Sequence, residues 1–304
     1  MKLPKFFSTF FLVAAMSMAV CTGFAPAHVV FAQNHTIDDP MPFFENSLET
    51  DHFVLKWTNK SRHASDNISD PQIIKDTAGY LETAWEKYTT LFGRKPYTAP
   101  GRDKIDVVFR DIDCYGVADP PSGPIQFNAF AWVQNSGIRQ PTSAHELFHR
   151  MQYAYGYKTK WHPREPYMWF TEGTAAWSEV FVWGRVSRTC KVDTIFRDCK
   201  LGLYDAEDMA MPFWIYFVQG NHEHPNHQLM VKLFEKFEQL GDEKQALREV
   251  LTEAYGSADG FLKSFAKDRR NGFWSDTCDM PYRCILGPDG KDLVQEVRDM
   301  QQKK

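Results

Sequence analysis

Beyond its first 20 residues, this 304-residue chain has no long apolar run. No later segment reaches the roughly 20 apolar residues that a bilayer-crossing helix needs. Lysine and arginine are never gathered into a basic cluster, and the formal net charge is −4. Neither nucleic acid nor an anionic membrane surface is therefore indicated as a partner. No Cys-x-x-Cys occurs, which argues against a cysteine-based zinc site. No internal repeat or low-complexity tract is present, so the chain does not read as a solenoid or a linker. What remains is ordinary: 43% hydrophobic and 24% charged residues. That is a composition able to bury a sizeable core in one large domain or two modest lobes.

The N-terminus reads as a targeting segment. Lys2 and Lys5 precede the apolar stretch 6–20, and Val30-Phe31-Ala32 offers a cleavage site before Gln33. This is the pattern of a secretory signal peptide over residues 1–32. The stretch is short for a membrane anchor, and Val20 stands before Cys21 where a lipoprotein signal needs a small residue. The expectation is an extracellular or periplasmic protein with no membrane span after processing. Removing 1–32 leaves 33 basic and 39 acidic residues, a formal charge of −6. Five cysteines remain. In an oxidising compartment Cys190/Cys199 and Cys278/Cys284 are the natural disulfide candidates, with Cys114 left over.

Periodicity divides residues 33–304 into a mixed part, 33–140, and a helical part, 141–304. Residues 33–50 are polar and read as extended. Phe53, Leu55 and Trp57 alternate on one face of a half-buried strand. Asp70 and Pro71 supply an N-cap and a first-turn proline. From there Ile74, Ala78, Leu81, Trp85, Tyr88 and Phe92 recur at helical spacing up to Gly93. Strands are expected at 105–109 and 125–133, separated by a glycine- and proline-rich turn at 116–123. The second of these strands is a candidate for pairing with an extended substrate. Helices are expected near 142–155, 170–183, 207–219, 227–239, 243–255 and 258–270, and the charged tail 291–304 is expected to fray.

The chemistry is concentrated in Thr142-Ser-Ala-His145-Glu146-Leu-Phe-His149. On a helix, residues four apart share a face, so both imidazoles reach one metal ion. Glu146 then projects beside the ion, where it can take a proton from water. By chance the pattern arises in roughly 1% of chains this long, so it outweighs a pair of unrelated helix histidines. The second segment is Trp169-Phe-Thr-Glu172-Gly-Thr-Ala-Ala-Trp-Ser-Glu179. Phe170, Thr174, Trp177 and Phe181 form one helical stripe, while Glu172, Ala176 and Glu179 form another. Gly173, Ala175 and Ala176 are small enough for this helix to pack close to the first. His145, His149 and Glu172 would then give zinc three ligands and leave one position open. His162 and Glu165 compete for the third place.

These two segments resemble the gluzincin group of zinc metallopeptidases, the class that includes thermolysin and the aminopeptidases. The resemblance covers most of residues 50–270, although only the two metal motifs are specific. It implies a zincin-like α+β fold with a mixed N-terminal lobe, a mostly helical C-terminal lobe and a cleft between them. It also implies Zn2+ on His145, His149 and Glu172, with Glu146 as general base acting on a peptide or protein substrate. The chain departs from the pattern in two places. Twenty-two residues separate His149 from Glu172, more than in thermolysin-like members, and Ala176 stands where they carry an acid. Glu179 is positioned to orient a histidine instead. The metzincin pattern fails because Tyr155 occupies its third-histidine position.

Weaker candidates are the loop histidines His222, His224 and His227 as a second metal site, and Tyr204 or Tyr216 as an oxyanion stabiliser. Two rival functions stay open. One is a zinc hydrolase of a non-peptide bond, and the other is a secreted binding protein with a vestigial zinc site.

Overall fold

The computed structural model describes residues 41–118, 120–157, 168–184, 210–220 and 225–267. The signal segment, both expected disulfide pairs, His162, Glu165, Tyr204, His222 and His224 lie outside the described residues.

The alternation at 53–57 produces a strand, and four others join it. The sheet consists of β1 (Asn46–Glu49), β2 (Phe53–Trp57), β3 (Ile105–Arg110), β4 (Gly116–Val117) and β5 (Ile125–Asn128). Its order is β1-β2-β3-β5-β4. The central pairs β2/β3 and β3/β5 are parallel, and the outer pairs β1/β2 and β4/β5 are antiparallel. Parallel neighbours need a crossover, and α1 (Pro71–Phe92) provides it between β2 and β3. Asp70 caps α1 by accepting from the Gln72 amide, and Gly93 ends it in the left-handed region at φ 61°. Both ends follow from the sequence.

The expected strand at 125–133 is half right. It stops at Asn128, whose side chain accepts from the Ala131 amide and starts α2 (Ala129–Gln134). A stretch with seven apolar residues in nine fits either period, and here one capping residue decides between them. β5 also lies inside the sheet, covered by β4, so it is not an edge available to a substrate strand.

A second cap, Asn135, opens α3 (Ser136–Ala154) directly after α2. This helix begins six residues before the expected 142. Pro141 therefore sits inside α3, where it forgoes one backbone hydrogen bond. The helical part continues with α4 (Met168–Trp183), α5 (Met211–Gln219), α6 (Gln228–Leu240), α7 (Glu243–Tyr255) and α8 (Ala258–Lys267). The architecture is α+β.

The two parts share one core. A continuous cluster of buried side chains runs from Phe53 in β2 to Phe265 in α8. Phe148 of α3 sits at its centre. Its ring contacts Tyr88 of α1 at 5.3 Å, Trp177 of α4 at 5.7 Å and Phe234 of α6 at 5.7 Å. Close to His145, the Tyr88 hydroxyl lies 2.8 Å from the Ala144 carbonyl and 2.9 Å from Ser178 Oγ. It thereby ties α1, α3 and α4 together.

Gly173 serves a different contact from the expected one. A β-carbon there would lie 2.6 Å from Trp214 Nε1 and 2.9 Å from Ala210 Cβ. Its missing side chain admits α5, where Trp214 Nε1 donates to the Trp169 carbonyl at 3.0 Å, rather than α3.

Candidate metal centre

His145 and His149 lie one turn apart on α3, with ring centroids 5.1 Å apart. Glu172, in the second turn of α4, faces both rings. His145 Nε2 is 3.1 Å from Glu172 Oε2, and His149 Nε2 is 3.6 Å from Glu172 Oε1. The three side chains offer ligand atoms that all lie within 4.8 Å of one another. Donors held at about 2.0–2.1 Å around a tetrahedral ion sit about 3.3 Å apart. The two measured spacings bracket that value.

The other nitrogen of each ring is already occupied. His145 Nδ1 lies 2.9 Å from Glu179 Oε1. An ionised carboxylate only accepts, so this contact holds a proton on Nδ1; Nε2, whose own proton bonds Glu172 when the ring is doubly protonated, is the nitrogen that a metal ion would take. His149 is held in the same way, 2.9 Å from Gln152 Oε1. The Gln152 amide has no freedom to flip. Its Nε2 donates to the Thr171 carbonyl at 2.7 Å and to Thr174 Oγ1 at 3.0 Å. The Thr174 hydroxyl spends its own proton on the Phe170 carbonyl. Partners of this kind fix the tautomer and aim of a metal-binding histidine.

The electrostatics call for a cation. Burial by itself would push the His145 imidazole below its ordinary 6.5. Hydrogen bonds to Glu172 and Glu179, together with the charge of Glu146, outweigh burial and raise it to about 10. Three carboxylates therefore focus on one buried ring, and a bound dication would satisfy the same field. The donor set, two nitrogens and a carboxylate oxygen with oriented outer partners, fits a metal ion.

Glu146 is buried on α3 beside this group, and its neighbour across the gap is backbone. A β-carbon on Gly116 of β4 would stand 2.7 Å from Glu146 Cγ and 2.8 Å from Oε1. The glycine thus leaves room for the carboxylate at the open edge of the sheet. Next along α3, the buried Arg150 guanidinium bonds the carbonyls of Pro121 and Gly123, the latter at 2.6 Å. It holds the loop that follows β4.

All four site residues taken from the sequence, His145, Glu146, His149 and Glu172, come together, and Glu179 meets His145 as its position suggested. Gln152 and Gly116 were not identified from sequence. Gln152 lies three residues beyond His149, a spacing that places it on the same helix face; no comparable signal marks Gly116. Tyr216 is a core residue, packed 5.1 Å from both Phe261 and Phe265. His227 precedes α6 and packs against Trp177 and Phe181. Cys114, the one cysteine among the described residues, is buried with its Sγ 3.2 Å from the Gly116 carbonyl.

No family model matches the chain, and no curated protein is similar to it. Among solved structures it is similar to a mutant of a functionally unknown conserved protein from Bacillus anthracis str. Ames. The TM-score is 0.38 at 11% identity, over 83% of this chain and 51% of that one. The chain spans about half the length of that protein, and a likeness at this level assigns neither family nor function.

Proposed function

We propose that this protein is a secreted zinc-dependent peptidase of the gluzincin kind, with His145, His149 and Glu172 as metal ligands and Glu146 as general base. The carrying observation is convergence. Two Nε2 atoms whose rings are locked from behind meet one carboxylate at ligand spacing, and a second carboxylate stands beside them against bare backbone. A purely structural site has no use for that second carboxylate. The contact of α3 with α4 and with β4, an edge strand of the small sheet, is compatible with a zincin-like arrangement.

When bound, zinc would polarise the scissile carbonyl and lower the pKa of water at the site. Glu146 accepts the proton of the attacking water on its carboxylate and delivers it to the leaving amine. Glu179 and Gln152 keep the two imidazoles in their ligating tautomers. Glu172 contributes the anionic ligand, and its remaining exposure places it on the solvent side of the group.

Metal analysis of the purified protein, combined with digestion of a proteome-derived peptide library, tests the reading. About one zinc per chain and cleaved peptides are expected. Glu146→Gln should keep the zinc and lose nearly all hydrolysis, because glutamine cannot take the proton. Full activity in that variant would remove Glu146 from its role, and cleavage of esters but never of amides would turn the reading toward a non-peptide hydrolase.

The ligand set has its own measurement. In a titration against a competing chelator, Glu172→Ala should lose zinc outright, whereas Glu179→Ala should weaken it about 10–100-fold, as outer partners do. Equal affinities for the two variants would mean that Glu172 is not a direct ligand.

A further inference from the structure

Three contacts of the candidate metal centre cross from α3 to α4. His145 Nε2 meets Glu172 at 3.1 Å, His149 Nε2 meets the same carboxylate at 3.6 Å, and His145 Nδ1 meets Glu179 at 2.9 Å. Their geometry depends on how far apart these two helices lie. Workable ligand distances fall within about 0.2 Å of their ideal values, so a small change of separation at this crossing is enough to spoil the group.

The crossing has only short side chains of its own beside His145. Ala144 and Ser178 are fully buried there, with Ser178 Oγ 3.5 Å from the Ala144 carbonyl. The third member comes from α1. The Tyr88 hydroxyl lies 2.8 Å from the Ala144 carbonyl and 2.9 Å from Ser178 Oγ, which is itself 2.6 Å from the Ala175 carbonyl. Two hydroxyls and two helix carbonyls thus form one closed, buried cluster. A helix carbonyl that already accepts from the amide four residues on still has a second lone pair to offer.

The position of this cluster gives it leverage. Ala144 directly precedes His145, and Ser178 directly precedes Glu179. Tyr88 therefore grips the backbone beside a candidate ligand and the residue beside the carboxylate that aims it. Its ring is wedged between Phe148 of α3 and Phe181 of α4, at 5.3 and 6.3 Å. Burial, with the charge of Glu179 adding to it, holds the phenol well above its ordinary pKa of 10.0, so the hydroxyl keeps its proton.

We propose that Tyr88 is a positioning residue for the metal centre: its hydroxyl, inserted from α1, sets the separation of α3 and α4 at which Glu172 and the two histidines share one ion. This rests on the ligand set proposed above, and not on which bond is hydrolysed.

The test compares variants of the full chain. Zinc affinity is read by titration against a competing chelator, and ligand geometry from the visible absorption of the Co2+-loaded protein. Tyr88→Phe removes one oxygen and keeps the ring in its packing. Tyr255→Phe is the matched control, because its hydroxyl lies 2.6 Å from the Phe217 carbonyl and joins α7 to α5, neither of which supplies a ligand. Tyr88→Phe should weaken zinc about 10–100-fold, as loss of an outer partner does, and should alter the Co2+ band. Ser178→Ala, which removes the other hydroxyl, should move both readings in the same direction, and it carries the test if Tyr88→Phe fails to fold. Tyr255→Phe should match the parent chain in both. Parent-like zinc affinity or an unchanged Co2+ band in Tyr88→Phe would overturn the proposal. So would an equal loss of zinc in Tyr255→Phe, which would mark a general softening of the fold. A parent chain that takes up neither ion would refute the ligand set itself, and the role of Tyr88 with it.

Discussion

At the scale of single residues, the distance between Gly116 and Glu146 decides more than its sequence context suggests. Gly116 does not need its glycine for a positive φ; it is absent from the residues with that conformation. Its lack of a side chain is spatial, because a methyl group would stand 2.7–2.9 Å from three atoms of the Glu146 side chain. In Gly116→Ala the carboxylate must move while His145, His149 and Glu172 stay in place. The expected result is normal zinc content with kcat lowered about 100-fold, the cost of roughly 1 Å of misplacement, and KM little changed. An alanine variant with full kcat would show that the carboxylate has freedom the packing denies. This residue also marks the limit of what the sequence revealed about the site. His145, Glu146 and His149 are legible because a helix converts a spacing of four into one face. Glu172 and Glu179 are legible because seven residues on a helix make two turns. Gly116 and the pairing of Gln152 with α4 depend on which elements become neighbours, and no local period records that.

At the scale of elements, the best-read pieces carry their own boundaries. α1 has Asp70 and Pro71 at one end and Gly93 at the other. α7 runs over the expected 243–255, between its cap Asp242 and Gly256 in the left-handed region. β1, β4 and α2 were missed because they are short, and tertiary pairing or a single cap outweighs propensity in such pieces. The start of α7 also holds a pH-sensitive group. Glu243 is buried in the first helical turn, and burial pushes its carboxyl from the ordinary 4.5 up to about 7, with neighbouring Asp242 adding to the rise. A carboxyl with a raised folded pKa binds its proton more tightly in the folded state. Its contribution is therefore intact below pH 4.5 and is lost as pH rises through 7. The whole shift corresponds to at most about 3 kcal/mol, and water reaching the helix terminus reduces that to about 1–2 kcal/mol. Glu243→Gln removes the titration. Melting curves should show the variant gaining on the parent chain between pH 4.5 and 7, with the gain constant above pH 8. A difference that does not vary with pH would show that Glu243 ionises normally in the folded protein.

At the scale of the whole molecule, the candidate metal group lies where the two parts of the chain join. α3 and α4 supply its candidate ligands, β4 touches Glu146 through Gly116, and Tyr88 of α1 bonds beside His145. Glu146 and Glu179 are buried around the two imidazoles, with Glu172 partly so. Folding gathers these acids from positions up to 33 residues apart in sequence, and their mutual repulsion is relieved by the proton they hold on His145, a proton that a bound dication would replace. The unfolded chain holds no such group, so an ion that binds only the folded form stabilises it by mass action. At 100 times Kd the gain is about 2.7 kcal/mol. For a protein of this size, at roughly 2.1 cal/mol/K per residue, that is a rise of about 4–5 °C in Tm. Chelator-treated protein should therefore melt several degrees lower and recover fully with zinc. Magnesium should not restore it, since that ion prefers six oxygen ligands. Glu172→Ala should lose the zinc-dependent rise, whereas Glu146→Gln should keep it, because the base is not a ligand. A chelator that leaves Tm unchanged in a protein shown to carry zinc would place the ion elsewhere, and the group of His145, His149 and Glu172 would then be held together by the histidine proton alone.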